Sequence, residues 1–89
     1  MPLSKEKKDK IIKKFKTHES DTGSSVVQIA ILSKEIEEIT KHLQEHKKDF
    51  STRRGLLRKV GQRKRLLGYL ERDNHKAFVK LVKDLKLNV

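Results

Sequence analysis

The sequence has no cysteine, no tryptophan and only one proline among its 89 residues. Without cysteine it has no disulfide bridge, no thiolate zinc site and no cysteine nucleophile. The longest nearly apolar run, VVQIAIL, is far too short to span a bilayer, and MPLSKEKKDK leads into no signal-peptide core. We therefore expect one small cytoplasmic domain, residues 1–89, with a thin core.

Aromatic residues are also scarce, and acidic residues are outnumbered by basic ones. Lysine and arginine number 23 against 12 acids, for a net charge of +11, which favours nucleic acid as the partner and an anionic membrane second. Only 4% of the residues are aromatic. Because single-strand binders stack successive bases on several rings, this composition favours structured nucleic acid, either folded RNA or bent DNA.

Hydrophobic periodicity predicts an all-α fold of four helices. A short, Lys-rich first helix is expected over residues 4–16, with few apolar side chains to anchor it. The following stretch, THESDTGSS, has the chemistry of a turn, in which Gly23 suits a positive φ. Ser25 then has the spacing to Gln28 that is typical of a capping box.

Two long helices follow and should form an antiparallel hairpin. The first starts at Val26, HKKD ends its pattern, and Asp49 caps the second, which runs to about Arg72. Asp73 or Asn74 can cap a last short helix. The apolar residues expected to pack in the hairpin are Ile29, Leu32, Ile36, Ile39, Leu43, Leu56, Leu57, Val60, Leu67 and Leu70.

The second long helix dominates the charge, because residues 41–72 contain eleven cations and three acids. At about 100° per residue, several of these cations and two glycines fall on one stripe facing away from the hairpin seam, with Tyr69 beside it. The stripe consists of Arg54, Arg58, Gly61, Arg65, Gly68 and Arg72. Glycine within a helix costs about 0.5–1 kcal/mol relative to alanine. We interpret the two glycines as room for a phosphate backbone, and close packing of another helix is the alternative.

Residues 46–57, HKKDFSTRRGLL, place one acid and two hydroxyls in a basic stretch. A helix cap at Asp49 would explain the acid structurally. The functional interpretation is that Asp49, Ser51 and Thr52, together with His42, meet base amino groups and 2′-hydroxyls in an RNA minor groove. The neighbouring cations Lys47, Lys48, Arg53 and Arg54 would neutralise phosphates.

The same region contains HLQEH, which matches the H-x-x-E-H pattern of one class of zinc peptidases through His42, Glu45 and His46. A hydrolase also needs a third ligand and a substrate cleft, for which a short helical hairpin has little room. We therefore predict no catalytic residue, no metal and no cofactor, and expect both histidines on the nucleic-acid-binding surface.

Two stretches, DTGSSVVQIAIL and HLQEHKKDFSTRRGLLRKVGQRKRLLGYL, resemble the bacterial small-subunit ribosomal protein fifteen family, over nearly the whole chain. The resemblance implies a non-enzymatic four-helix protein that binds small-subunit rRNA at a three-way junction and at a nearby helix with a G·U/G·C element. It also implies contacts with neighbouring small-subunit proteins, a role in nucleating platform assembly, and a bridge to large-subunit rRNA.

The resemblance also distributes residues between the two RNA elements. The junction would be contacted by Thr22, Gly23, Gln28, Arg65 and Tyr69, and the minor groove of the nearby helix by His42, Asp49 and Thr52. The full predicted RNA-binding set is Thr22, Gly23, Gln28, His42, His46, Lys48, Asp49, Ser51, Thr52, Arg53, Arg54, Arg58, Arg65, Gly68, Tyr69 and Arg72.

Two alternatives come from other classes of protein. A basic helical DNA-binding module would prefer duplex DNA to junction RNA at equal salt. A zinc hydrolase would require stoichiometric zinc and metal-dependent turnover.

Overall fold

The computed structural model describes residues 4–15 and 21–87. Within these ranges all the regular structure is helical: α1 spans Lys5–Phe15, α2 spans Asp21–Glu45, α3 spans Phe50–Asp73 and α4 spans His75–Leu85. The prediction of an all-α fold with four helices is therefore confirmed.

The long helices α2 and α3 pack against each other as a hairpin, because the link of residues 46–49 is too short for any other arrangement. The chain turns tightly here, since the N–H of Asp49 donates to the carbonyl of His46 over 3.1 Å. At 1.5 Å per residue, α2 is about 37 Å long. This length accounts for the longest dimension of the molecule, 39 Å.

The core lies where α4 covers one half of the hairpin. Ile29 of α2, Leu70 of α3 and Leu81 of α4 are each at most 2% exposed and represent the three helices that meet there. The complete cluster of buried residues is Phe15, Ile29, Ala30, Leu67, Leu70 and Leu81. Among the described residues, none from the first half of α3 belongs to this cluster.

The seam of α3 is consequently narrower than its periodicity predicts. The prediction that Leu57 and Val60 belong to the core is wrong, because they are 66% and 37% exposed. Of the other predicted seam residues, Ile36, Leu43 and Leu56 are partly buried. Since α2 covers only one side of α3, apolar positions at the margin of the predicted stripe stay in contact with water.

The beginning of α2 also differs from the prediction. The helix starts at Asp21, so Thr22, Gly23 and Ser25 lie inside it, and no glycine in the described residues has a positive φ. Ser25 is 7% exposed and is packed within the fold instead of standing at a helix end. The predicted turn at Gly23 and the predicted capping box are therefore wrong, and residues 17–20 of the turn lie outside the described residues.

The predicted caps of the last two helices are confirmed. Asp49 Oδ1 accepts a hydrogen bond from the N–H of Thr52 over 3.1 Å. Asn74 Oδ1 accepts one from the N–H of Ala77 over 3.2 Å. Each cap satisfies a backbone donor that has no partner within its own helix.

The first helix is held to α2 by few side chains. Phe15 is its one buried residue in the described range, and Ile11 packs partly against the same core. Lys7 Nζ lies 2.7 Å from Glu38 Oε1, and this contact lowers the pKa of the Glu38 carboxyl. Lys7 is exposed and Glu38 is partly exposed, so solvent screens the ion pair and it adds little to the anchoring of α1.

Candidate nucleic-acid interface

One face of α3 carries the predicted basic stripe. Arg54, Arg58, Arg65 and Arg72 are all exposed and project from a single continuous helix. Tyr69 lies beside them with 43% of its surface exposed. The face therefore offers a row of guanidinium groups and one aromatic ring, a combination suited to a phosphate backbone.

The two glycines of this stripe have no helix packed over them. A Cβ atom added at Gly61 would meet, among the described residues, only Arg65 Nη1 at 3.9 Å. At Gly68 the corresponding neighbour is Arg72 Nη1, also at 3.9 Å. The alternative that these glycines accommodate a neighbouring helix of the same chain is therefore wrong, and both lie open to a bound partner.

A cleft of about 580 Å³ lies between α2 and α3 beside the stripe. It brings Gln28 of α2 together with Arg65 and Tyr69 of α3, and these three residues were predicted to act at one site. Its lining residues are Gln28, Ile31, Leu32, Glu35, Gln62, Arg65, Leu66 and Tyr69. The structure thus assembles an amide, a guanidinium and an aromatic ring around one concave surface.

Sequence reasoning missed Glu35 and Gln62 in this cleft. Glu35 is only 6% exposed, and its Oε1 lies 3.5 Å from Lys59 Nζ across the helix interface. A signal was present, since Glu35 follows Leu32 by three positions and precedes Ile39 by four, so it lies within the buried seam. An acid at such a position indicates a paired charge or a functional group.

Thr22 and Gly23 lie on the same helix as Gln28, in the first turn of α2. Five residues separate Gly23 from Gln28, a rise of about 7.5 Å along the helix axis. The start of α2 is therefore close to the cleft, both in sequence and along the axis of the helix.

A second cluster occupies the turn between α2 and α3. Asp49 Oδ2 accepts a hydrogen bond from the hydroxyl of Thr52 over 2.7 Å and lies 2.9 Å from His42 Nε2. These two contacts, together with the backbone N–H of Thr52, hold the pKa of the Asp49 carboxyl far below its usual range. His42, Asp49 and Thr52, predicted to act together, are joined in one network.

This network fixes which atoms remain available to a partner. An ionised carboxylate only accepts hydrogen bonds, so His42 Nε2 must carry the hydrogen that it shares with Asp49. The Thr52 hydroxyl hydrogen also points to the carboxylate, which leaves the hydroxyl lone pairs free. The free positions of Asp49 and Thr52 are therefore hydrogen-bond acceptors.

Other predicted residues surround this cluster. His46 is exposed, and its ring stacks on that of His42 with centroids 4.5 Å apart. Lys48 and Ser51 are exposed at the turn. Arg53 serves the fold, since its Nη2 donates to the carbonyl of Lys47 over 2.9 Å and its guanidinium lies 5.9 Å from the centre of the Phe50 ring.

The HLQEH motif is accommodated within the same turn. His42 directs Nε2 to Asp49 and its ring face to His46, so both histidines belong to the hydrogen-bonded and stacked cluster. Across the part of the chain that the structure describes, no three His, Cys, Asp or Glu side chains are grouped as metal ligands. In the same part, no helix is long and apolar enough to cross a bilayer.

Comparison with known proteins gives the family. The profile of the family described as Ribosomal protein S15 matches residues 7–88. The chain belongs to this family. "Small ribosomal subunit protein uS15" of Limosilactobacillus fermentum is 52% identical over 87 residues, with 98% of each chain covered. The proteins of the same name from Nitratiruptor sp. and Campylobacter lari are 55% and 54% identical, covering 96% and 98% of this chain and 96% and 97% of their own lengths.

Membership of the ribosomal protein S15 family confirms two predictions made from sequence. The family resemblance carried by the two quoted stretches is correct. The prediction that the protein is not an enzyme is also correct, because the family consists of structural components of the ribosome.

The low pKa of Asp49 predicts a stability change in acid. The folded-state pKa lies below the unfolded value of about 3.9, so this group stabilises the fold above about pH 4 and the contribution is lost as pH falls through the folded pKa. Asp49→Asn keeps an oxygen for the Thr52 N–H but has no charge to lose. We expect the urea midpoint of the wild type to fall more steeply below pH 4 than that of Asp49→Asn.

Urea unfolding followed by circular dichroism at a series of pH values measures this difference. Asp9→Asn, which removes an exposed acid from α1, is the matched control and should retain the wild-type slope. Because the Asp49 side chain is 32% exposed, solvent moderates the effect. Parallel pH profiles for the wild type and Asp49→Asn would contradict the assignment.

Proposed function

We propose that the protein is a structural constituent of the small ribosomal subunit and a primary rRNA-binding protein. Its relatives are named as small-subunit ribosomal proteins, and the chain aligns with almost their entire lengths. The net charge of +11 and the exposed arginine row of α3 supply the attraction to RNA that such a role needs. The predicted location on cytoplasmic ribosomes is part of this proposal.

The single observation that carries the mechanism is the acceptor character of the cluster at the turn. In the shallow minor groove of an RNA helix, the exocyclic amino group of guanine and the 2′-hydroxyls offer hydrogen-bond donors. Asp49 and Thr52 present acceptors, and a phosphate would be repelled by the carboxylate. We infer that His42, Asp49 and Thr52 read a G·U/G·C element while Lys47 and Lys48 neutralise the adjacent phosphates.

The cleft between α2 and α3 would meet the three-way junction. Arg65 supplies a planar cation for phosphate or a base edge, Tyr69 a ring for stacking, and Gln28 an amide that can donate and accept. Glu35, which lines the same cleft, would exclude phosphate and favour a base amino group. Thr22 and Gly23 extend this contact along the start of α2.

The broader role follows from the two contacts. A protein that binds a junction and a nearby helix at once fixes their relative orientation, and we propose that this nucleates assembly of the subunit platform. Contacts with neighbouring small-subunit proteins and a bridge to large-subunit rRNA belong to the same proposal and rest on family membership.

A binding titration with matched variants tests the proposal. The RNA is a small-subunit rRNA fragment with the junction and the nearby helix, compared at two salt concentrations with a plain RNA duplex and a DNA duplex of similar length. We expect the fragment to bind best and to keep its advantage at higher salt. Asp49→Ala and Thr22→Ala should reduce the preference for the fragment. Arg65→Ala should weaken binding to all three and make the salt dependence shallower.

The possible outcomes separate the alternatives. Equal, salt-sensitive binding to all three nucleic acids would contradict the proposal, and a preference for duplex DNA would favour the DNA-binding module. If all three variants lost the same affinity for the fragment as for plain duplex, the proposed division would be contradicted. In that division Asp49 and Thr22 supply specificity and Arg65 supplies general affinity.

The open glycines predict opposite effects on stability and on binding. Gly61→Ala and Gly68→Ala should each stabilise the free protein by about 0.5–1 kcal/mol, because an exposed helical glycine is replaced by a better helix former. The same methyl groups should weaken binding to the rRNA fragment if its backbone approaches α3 there. Urea unfolding and the titration above measure the two effects.

Gly55→Ala is a useful reference for this pair. A Cβ atom at Gly55 meets nothing described within 4 Å, so its effect on stability should be similar. Unchanged or tighter RNA binding by both Gly61→Ala and Gly68→Ala would contradict a close approach of the RNA backbone at the stripe.

A further inference from the structure

A second exposed surface of α3 borders the glycine side of the basic stripe, at the azimuth of Gly68 and beyond it. It consists of Phe50, Leu57 and Val60, which are 59%, 66% and 37% exposed, and we name it the apolar flank. At about 100° per residue, its centre lies roughly a third of a turn around the helix from Arg65 and Tyr69. The proposed RNA contacts use none of these three side chains, and within the protein the Phe50 ring is contacted on one side by the Arg53 guanidinium.

The apolar flank continues into a cleft of about 590 Å³ between α3 and α4. Its apolar lining is formed by Val60, Leu67, Phe78 and Leu87. The remaining lining residues are Arg63, Lys64, Glu71 and Gly68, the last of which also belongs to the basic stripe. The surface is thus a line of apolar side chains that ends in a concave site with two cations and one acid around it.

We propose that the apolar flank and this cleft bind an amphipathic protein helix with acidic residues beside its apolar stripe. Exposed apolar side chains contribute favourably to binding when a partner covers them with apolar surface, and the edges of RNA offer little such surface. Phe50 and Leu57 are seven residues apart, as are Val60 and Leu67, which is the spacing of a seam between two helices.

The length and charge of the surface define the partner further. From Phe50 to Leu67 the rise is about 26 Å, which matches a helix of roughly 17 residues. Arg53, Arg63 and Lys64 lie along or beside this line, with Glu71 at its far end. Acidic side chains on the partner would therefore be attracted along most of its length.

Two other occupants fit less well. A second copy of the chain would place the same cations against one another on a molecule that already carries +11. An anionic membrane would be attracted by the cations, but its flat surface does not fill the concave site lined by Leu67, Phe78 and Leu87.

Two synthetic 18-residue helical peptides serve as probes. Both carry leucine at the a and d positions, and they differ in having glutamate or lysine at the flanking positions. Fluorescence anisotropy would measure their affinity for the full-length wild type, Leu57→Gln and Arg65→Gln. Leu57 is largely exposed, so the first substitution leaves the core intact, and Arg65→Gln is a matched change on the RNA-facing side.

The acidic peptide is expected to bind the wild type and the lysine peptide is not. Leu57→Gln should weaken binding about tenfold, because apolar contact is lost. Arg65→Gln should change it by less than about twofold, since that residue lies outside the surface. Leu57→Gln should also bind the rRNA fragment like the wild type, so the outcome is separate from that of the proposed function.

Several results would overturn the proposal. These are no binding of the acidic peptide, equal binding to the wild type and Leu57→Gln, or a larger loss with Arg65→Gln, which would indicate attraction to the basic stripe alone. Dimerisation of the wild type that Leu57→Gln abolishes would assign the surface to a second copy. Binding to phosphatidylglycerol vesicles that depends on Leu57 would assign it to lipid.

Discussion

The packing of α2 against α3 is the constraint on which the rest of the structure depends. Ile29, Leu32 and Ile39 of α2 and Leu67 and Leu70 of α3 are buried, and their contact makes two separate helices into one rigid element. Residues from Thr52 to Tyr69 span about 26 Å of α3. The cluster at the turn and the cleft near Tyr69 are therefore held at a fixed separation, so the protein can require two RNA elements to lie at a matching distance.

The same polar atoms stabilise the fold and define the site. Asp49 caps α3 through the N–H of Thr52, and the same carboxylate orders the Thr52 hydroxyl and the His42 ring. Glu35 joins α2 to α3 through Lys59 while it lines the candidate junction cleft. Because these groups are already ordered in the free protein, the proposed RNA contacts would cost little conformational freedom. Gly61 and Gly68 differ from these groups, because they lower the stability of α3 in the free protein while they leave its backbone accessible to a partner.

Much of the fold could be predicted because its signals are local. The caps at Asp49 and Asn74, the two long helices and the cluster of His42, Asp49 and Thr52 depend on residues near one another in sequence. The failures concern tertiary contacts. Periodicity assigned Leu57 and Val60 to the core, but cannot tell how much of α3 its neighbours cover. The start of α2 was misplaced because the turn propensity of its residues is a local signal, whereas the burial of Ser25 depends on tertiary packing. Glu35 was missed because its partner Lys59 lies on the other helix.

The most direct test of the fixed separation is to change the distance between the two RNA elements. Inserting about five base pairs, roughly half a turn, between the junction and the G·U/G·C element moves one element to the other side of the helix. We expect the wild type to lose most of its preference for this RNA over plain duplex. Asp49→Ala lacks the carboxylate proposed to read the second element, so we expect it to bind both spacings almost equally. Equal wild-type affinity for the two spacings would contradict a rigid two-site protein.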